Sequence, residues 1–255
     1  SEVVQPVSLD EIPMDAGPVP LREAAAGGDP KAYFEIASRY AEGRGTTADI
    51  SKAIEWYTKA AEAGFAPAQY RLGDLYQKGT GVERDAAKAK MWFQLAAQQG
   101  NAGAMHNLGV LYAMGADGPA DNASAARWFL EAAEHGVRDS QFNLGILSAK
   151  GMGVPQDLTE AYKWFAIVAN GGDADAAGKR DEIAAALSPD KLEQAKNKTA
   201  LWKAKSIDPA VNMVDVPESW RESRELTASV DMKKAVTNIQ LILNQQGFDA
   251  GKPDG

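Results

Sequence analysis

Apolar residues recur every three to four positions in short stretches, and glycine-bearing breaks separate the stretches. From Pro67 to Lys78, Ala68, Leu72, Leu75 and Tyr76 form an i, i+4, i+7, i+8 stripe, which predicts a helix with one buried face. Gly79-Thr80-Gly81 breaks the stripe. From Asp85 to Gln99 a second stripe carries Ala89, Trp92, Phe93, Ala96 and Ala97, and Gly100 follows where a helix C′ position favours positive φ. The pair then repeats. Gly64, Gly100, Gly136 and Gly172 stand 36 residues apart, and Trp56, Trp92, Trp128 and Trp164 keep the same step. So do Leu72-Gly73, Leu108-Gly109 and Leu144-Gly145, while Gly43/Gly45 and Gly151/Gly153 repeat the inner turn. A fixed period of this size marks a stack of supersecondary units.

Two departures stand out. Unit one has Ile36-Ala37 in place of Leu-Gly, and unit three has Asp117 where its neighbours have the second turn glycine, so its turn should differ locally. Composition sharpens the picture in one respect. The chain holds 46 alanines and 24 glycines, the best helix former beside one of the worst. Glycine must therefore be punctuation, and 17 of the 24 lie within residues 29–172, most of them at turns and caps. Alanine is expected where helices approach closely, and each tryptophan is expected to fill the space between neighbouring pairs.

The run Ala68-Gln69-Tyr70-Arg71-Leu72-Gly73-Asp74-Leu75-Tyr76, Gly79-Thr80-Gly81-Val82, Asp85, Lys88-Ala89, Trp92, Ala96-Ala97, Gly100 resembles a Sel1-like repeat, a relative of the tetratricopeptide repeat. Four units fit, over residues 29–172. The resemblance implies an all-α fold, a right-handed α-solenoid of helix-turn-helix repeats with a C-terminal helical cap, acting as a protein-interaction scaffold.

The flanks read differently. Residues 1–28, with Pro6, Pro13, Pro18 and Pro20, suggest an extended lead-in, and Leu21 to Ala26 starts an N-terminal cap. Residues 173–206 predict two capping helices. The first runs from Asp173 to Leu187; the second opens at Ser188-Pro189 and runs to about Lys205, with Leu192, Ala195, Thr199 and Trp202 on one face. Such a pair would shield the end of the stack. Residues 207–230 read as a linker or a segment draped over the cap, with Trp220 packed on the solenoid or kept for a partner. In residues 231–255, Val236, Ile239 and Leu243 precede Asn244-Gln245-Gln246-Gly247-Phe248-Asp249-Ala250-Gly251-Lys252-Pro253-Asp254-Gly255. This resembles the opening of the small helical peptidoglycan-binding module, incomplete here, so that only a complete downstream module would bind peptidoglycan. Ser1-Glu2-Val3-Val4 has neither a basic n-region nor an apolar h-region and no Met, as expected of an excised or processed piece. Sel1-like repeats followed by such a module, with Gly27-Gly28-Asp29-Pro30, Tyr40-Ala41-Glu42-Gly43-Arg44-Gly45 and Asn212-Met213-Val214-Asp215-Val216-Pro217, resemble the periplasmic regions of alphaproteobacterial polar localisation factors. The resemblance implies a periplasmic location, as part of a single-span inner-membrane protein.

Charge and chemistry narrow the function. The net charge of −8 argues against nucleic acid and an anionic membrane surface. The absence of cysteine excludes thiol chemistry and Cys-ligated metal, and no apolar stretch reaches the ~18 residues of a spanning helix. His106 and His135 sit on different units, the first a surface or groove residue, the second at a helix end where a cation is favourable. Ser188-Pro189-Asp190-Lys191 matches the Ser-x-x-Lys of serine β-lactamases, but its companion motifs are missing and it reads as a helix start. No catalytic residue, cofactor or metal site is expected, and the chain reads as non-enzymatic.

Binding is the positive case. The variable positions of the first helices are Glu35, Arg71, Asn107 and Asn143, then Ser38, Asp74, Val110 and Ile146, then Glu42, Lys78, Met114 and Lys150. Within a unit they are three and four residues apart, so they share a helix face, expected to be the concave one. Asn107 and Asn143, each both donor and acceptor, would clamp an extended peptide's backbone, and Val110, Ile146 and Met114 would receive its apolar side chains. The alternative is an ordinary solvated face. Two functions are compatible with this: a periplasmic scaffold holding a protein partner near the cell wall at the pole, or a secreted periplasmic regulator inhibiting a sensor kinase. The tryptophan assignment predicts that Trp92→Ala costs about 3–5 kcal/mol, read as a fall in melting temperature.

Overall fold

A computed structural model of the chain describes residues 8–221. Helices α2 (Pro30–Glu42) and α3 (Ile50–Glu62) form the first unit, α4 (Ala66–Lys78) and α5 (Ala86–Gln98) the second, α6 (Ala102–Met114) and α7 (Asn122–Glu134) the third, and α8 (Arg138–Lys150) and α9 (Leu158–Asn170) the fourth. The short helix α1 (Val19–Ala26) precedes them; α10 (Ala174–Ala186), α11 (Pro189–Leu201) and the single turn α12 (Pro209–Asn212) come after. Each helix packs on the next through the four units, an α-solenoid without strands among the described residues.

Local chemistry sets the boundaries. The second helix of every unit is N-capped by an aspartate, Asp49, Asp85, Asp121 or Asp157, whose carboxylate accepts a hydrogen bond from a backbone N–H of the first turn. The first helix of every unit ends on a left-handed glycine, such as Gly79 at φ 72°. Two residues further on, unit three departs from its neighbours as expected. Asp117 does not take the left-handed turn of Gly81 or Gly153, and its carboxylate accepts hydrogen bonds from Lys90 at 3.1 and 3.3 Å, with Lys90 lying over the Tyr112 ring.

Within a unit the two helices meet at a glycine. A methyl group on Gly73 would sit 2.6 Å from Phe93, on Gly109 2.5 Å from Phe129, and on Gly145 2.9 Å from Phe165. Each phenylalanine ring thus packs directly against bare backbone, and all three are buried. This corrects the tryptophan assignment. Trp92 and Trp128 do pack at seams against the cluster of the preceding unit, but they stay half-buried, while the residue after each is the core aromatic. Trp56 and Trp164 are buried, Trp56 against Tyr33 and Trp164 beneath Trp202.

The lead-in is folded rather than extended. Two 3-10 turns, Leu9–Glu11 and Met14–Ala16, place Ile12 and Ala16 in the first core, and Asp15 accepts hydrogen bonds from Tyr40 and Thr46. At the other end α10 and α11 both pack on α9. Ala195 is fully buried and Leu192 joins it, as the stripe required, but α11 stops at Leu201 instead of Lys205. From Trp202 the chain turns extended, because Trp202 meets Trp164 edge to face and the Lys205 N–H is held by the carbonyl of Glu134. Residues 207–221 are not draped over the cap: they run back along the stack to the first unit, where Trp220 is buried. The expected helix at Val236, Ile239 and Leu243 and the peptidoglycan-binding-like segment lie outside the described residues.

Glu160 joins the cap to the stack, accepting from Lys163 of its own helix and from Lys198 of α11 at 2.7 Å. Burial pushes its carboxyl up, but the two ammonium groups outweigh burial and hold it below its ordinary value. A lowered folded pKa gives stability that is present above the unfolded value of about 4.3 and is lost as the pH falls through the folded one. Acid melting curves are therefore expected to steepen below that pH, and Glu160→Gln is expected to flatten them. A second measurement isolates the glycine contact. Gly109→Ala is expected to destabilise by about 1–3 kcal/mol through overpacking, although alanine is the better helix former. Gly178→Ala, where a methyl meets nothing within 4 Å, is expected to stabilise by up to about 1 kcal/mol in urea titrations.

Candidate interaction surface

The first helices of successive units touch one another, α4 on α6 and α6 on α8, as well as their own partners. They form the tighter layer, the inner side of the stack. The variable positions divide along it. In unit one the expected face is consumed internally. Glu35 is buried and takes both guanidinium nitrogens of Arg44 at 2.8 and 3.3 Å; Ser38 is buried and shares a 3.0 Å hydrogen bond with the Tyr57 hydroxyl. Neither is available to a partner, which corrects the expectation for both. Arg44 also pairs with Glu42, so that position too is tied to the turn.

Unit two presents charge. Arg71 is exposed with its guanidinium over the Tyr57 ring, and Asp74 pairs with Lys78 at 2.7 Å. Unit three presents the half-buried Asn107 and Val110, the latter packed against the third core cluster, and Met114, which is 66% exposed.

Unit four lines two concavities. One cavity of about 410 Å³ is lined by Asn143 and Phe142 of α8, with Asp139, Arg138, Asp173, Asp175, Val168 and His106 around it. Arg138 pairs with Asp173 at 3.0 Å, leaving Asp139 and Asp175 to give the rim a negative excess. A second cavity of about 200 Å³ is lined by Ile146, Ala149 and Lys150 of the same helix, with Phe165, Ile183, Lys179 and Glu182. Asn143, Ile146 and Lys150 thus line two neighbouring hollows between α8 and the cap helix α10, one acidic and one apolar. Asn107 lines neither.

His106 is structural in its bonding. Its Nδ1 lies 2.8 Å from the hydroxyl of the fully buried Ser140, and its ring packs on Phe129. Burial pushes its pKa down against the opposing charge of Asp139, so it is neutral near pH 7. His135 is the C-cap of α7. Ser188, at the N-cap of α11, and Lys191 line a third cavity of about 530 Å³ between the cap helices and the start of α9. Among the described residues no group of three His, Asp or Glu side chains gathers as a metal site, and no helix is long and apolar enough to cross a membrane.

Sequence reading missed Asn101. It stands at the register position of Asp29, Phe65, Val137 and Asp173, and its buried side chain both caps α6 and holds the returning C-terminal segment. Polarity alone does not single it out, since Asp29 and Asp173 stand at the same register position; what sets it apart is an amide, which donates as well as accepts.

A family model described as Sel1 repeat matches residues 30–65, 66–101, 102–137 and 138–173. Among solved structures, a Sel1 repeat protein from Oxalobacter formigenes is 36% identical with a TM-score of 0.59, over 64% of this chain and 48% of that one. A protective antigen of uropathogenic Escherichia coli with an SLR fold is 26% identical with a TM-score of 0.44, over 71% and 55%. The chain spans about half the length of these two proteins. No curated protein matches it. Sel1 repeats generally mediate protein–protein interaction, and repeat proteins of this kind are typically non-enzymatic scaffolds. With four consecutive matches over more than half of its length, each falling on one stacked helix pair, the chain belongs to the Sel1 repeat family.

Proposed function

We propose that this chain is a non-enzymatic interaction scaffold that works in the periplasm as part of a bacterial cell-pole localisation factor of the PodJ type, holding a protein partner close to the cell wall. The observation that carries the interaction role is the pair of hollows on α8, where Asn143 and Ile146 stand one turn apart between an acidic and an apolar cavity. A partner segment that crosses them places a basic or amide side chain against Asp139 and Asp175 and an apolar one against Ile146, Phe165 and Ile183. Arg71, Asp74, Asn107, Val110, Met114 and Lys150 extend the face. The polar and periplasmic parts of the reading are supported by the resemblance of residues 27–30, 40–45 and 212–217 to those factors. Peptidoglycan contact is assigned to a complete downstream module.

Two measurements test this. Asn107→Ala combined with Asn143→Ala is expected to weaken the affinity of the captured partner by about tenfold or more, the range of lost central contacts. Unchanged capture rejects the clamp. Fusions of the complete reading frame to alkaline phosphatase and to a fluorescent reporter should give phosphatase activity and a focus at one cell pole. An even envelope signal, with a sensor kinase derepressed on deletion, favours the secreted inhibitory regulator instead.

A further inference from the structure

After α11 the chain reverses and retraces the repeats in descending order. Trp202 meets Trp164 edge to face at 5.9 Å in unit four. At the junction of units three and four, Ala204 covers Gly136, the Lys205 N–H donates to the Glu134 carbonyl at 2.8 Å, and the Lys205 ammonium pairs with the Glu134 carboxylate. At the junction of units two and three, Val211 covers Gly100 and Asn212 is clamped. Val214 and Val216 then pack on the first core, and Trp220 is buried in it at 6% exposure beside α1. From Lys205 to Asn212 is seven residues and from Asn212 to Trp220 eight, so each step spans at most about 23–29 Å, the scale of one repeat.

The clamp is reciprocal and directed at main chain. Asn101 Nδ2 donates to the Val211 carbonyl at 2.6 Å, while its Oδ1 still caps α6 by accepting from the Ala104 N–H. Asn212 Oδ1 accepts from the Ala102 N–H at 2.9 Å, and its Nδ2 donates to the Gly100 carbonyl at 3.1 Å. Three junction groups therefore read one carbonyl and one amide of the helical turn α12. Asparagine at position 101 serves both directions at once: at the equivalent places Phe65 and Val137 have no polar side chain, and the carboxylates of Asp29 and Asp173 accept without donating.

We propose that this junction edge, distinct from the α8 hollows, is a docking surface for a polypeptide that presents a single helical turn ending in asparagine and a tryptophan eight residues on, and that residues 203–221 occupy it in cis as an autoinhibitory strap latched by Trp220. The tether explains why the strap wins. An intramolecular segment acts at an effective concentration that a free segment matches only at millimolar levels. Weakening the latch raises the open fraction, and apparent affinity for an external segment rises in proportion.

The test uses the full chain and a labelled synthetic peptide of residues 203–221, titrated by fluorescence anisotropy. Trp220→Ala and, separately, Asn212→Ala in the protein are expected to bind the peptide about tenfold or more tightly than the unaltered chain. Asn212→Ala leaves Trp220 in place, so it answers the question even where Trp220→Ala unfolds the first unit. Adding Asn101→Ala to Asn212→Ala, or using a peptide with Asn212→Ala, is expected to abolish the gain. Equal affinity for the unaltered and Asn212→Ala chains, or no binding to either, overturns the proposal. Binding that survives Asn101→Ala overturns the assigned site.

Discussion

The spacing between the two helices of a unit is the constraint on which the rest depends. Gly73, Gly109 and Gly145 let the phenylalanine of the facing helix lie against backbone, so each pair closes to a distance that no side chain at those positions permits. Ring on backbone fixes the pair as a rigid block. The preceding tryptophan is then turned toward the neighbouring block, where it meets the earlier core in part and remains half-buried in units two and three. Unit one departs from the rule and is compensated locally. It has Ala37 and Tyr57 in place of glycine and phenylalanine, and the added hydroxyl is satisfied by Ser38. That substitution takes Ser38 out of the inner face.

The repeat was legible because its information is one-dimensional. Glycines, aspartates and aromatic residues recur every 36 positions, and each acts on its own turn, cap or facing helix. The choice between Trp92 and Phe93 was not legible from hydrophobicity, since both lie on the apolar stripe. Gly73 held the answer, because a residue kept without a side chain inside a helix implies a close neighbour. On the inner face Asn143, Ile146 and Lys150 line hollows, where nothing in the chain competes for them, whereas Glu35 is taken up by Arg44 of the adjoining turn, an internal cation. Of the returning segment, the packing of Trp220 on the solenoid was legible, but its path along the junctions was not. Its contacts join residues far apart in sequence, Lys205 with Glu134, Asn212 with Ala102 and Trp220 with the first core, and they rest on junction-specific residues that a periodic reading averages away.

Solenoids ordinarily leave their ends as the least stable parts, since an end unit has one neighbour instead of two. Here both ends are closed by elements outside the repeats. The lead-in and Trp220 fill the first core, and α10, α11 and Trp202 cover the last. The inner units are thus free to differ in surface chemistry, and the two hollows of α8 sit where a repeat meets a cap, a seam that need not obey the repeat register.

The course of residues 202–221 also decides how the molecule carries load. Ile12 and Trp220 share one core, so the described chain enters and leaves the stack at the same end. Tension applied between Ser8 and Arg221 is borne by the first unit and the tryptophan seated in it. Units two to four, with both hollows, lie outside that line of force. A scaffold strung between two anchors in this way keeps its far repeats relaxed under pull, and the first element to yield is the one that uncovers its edge.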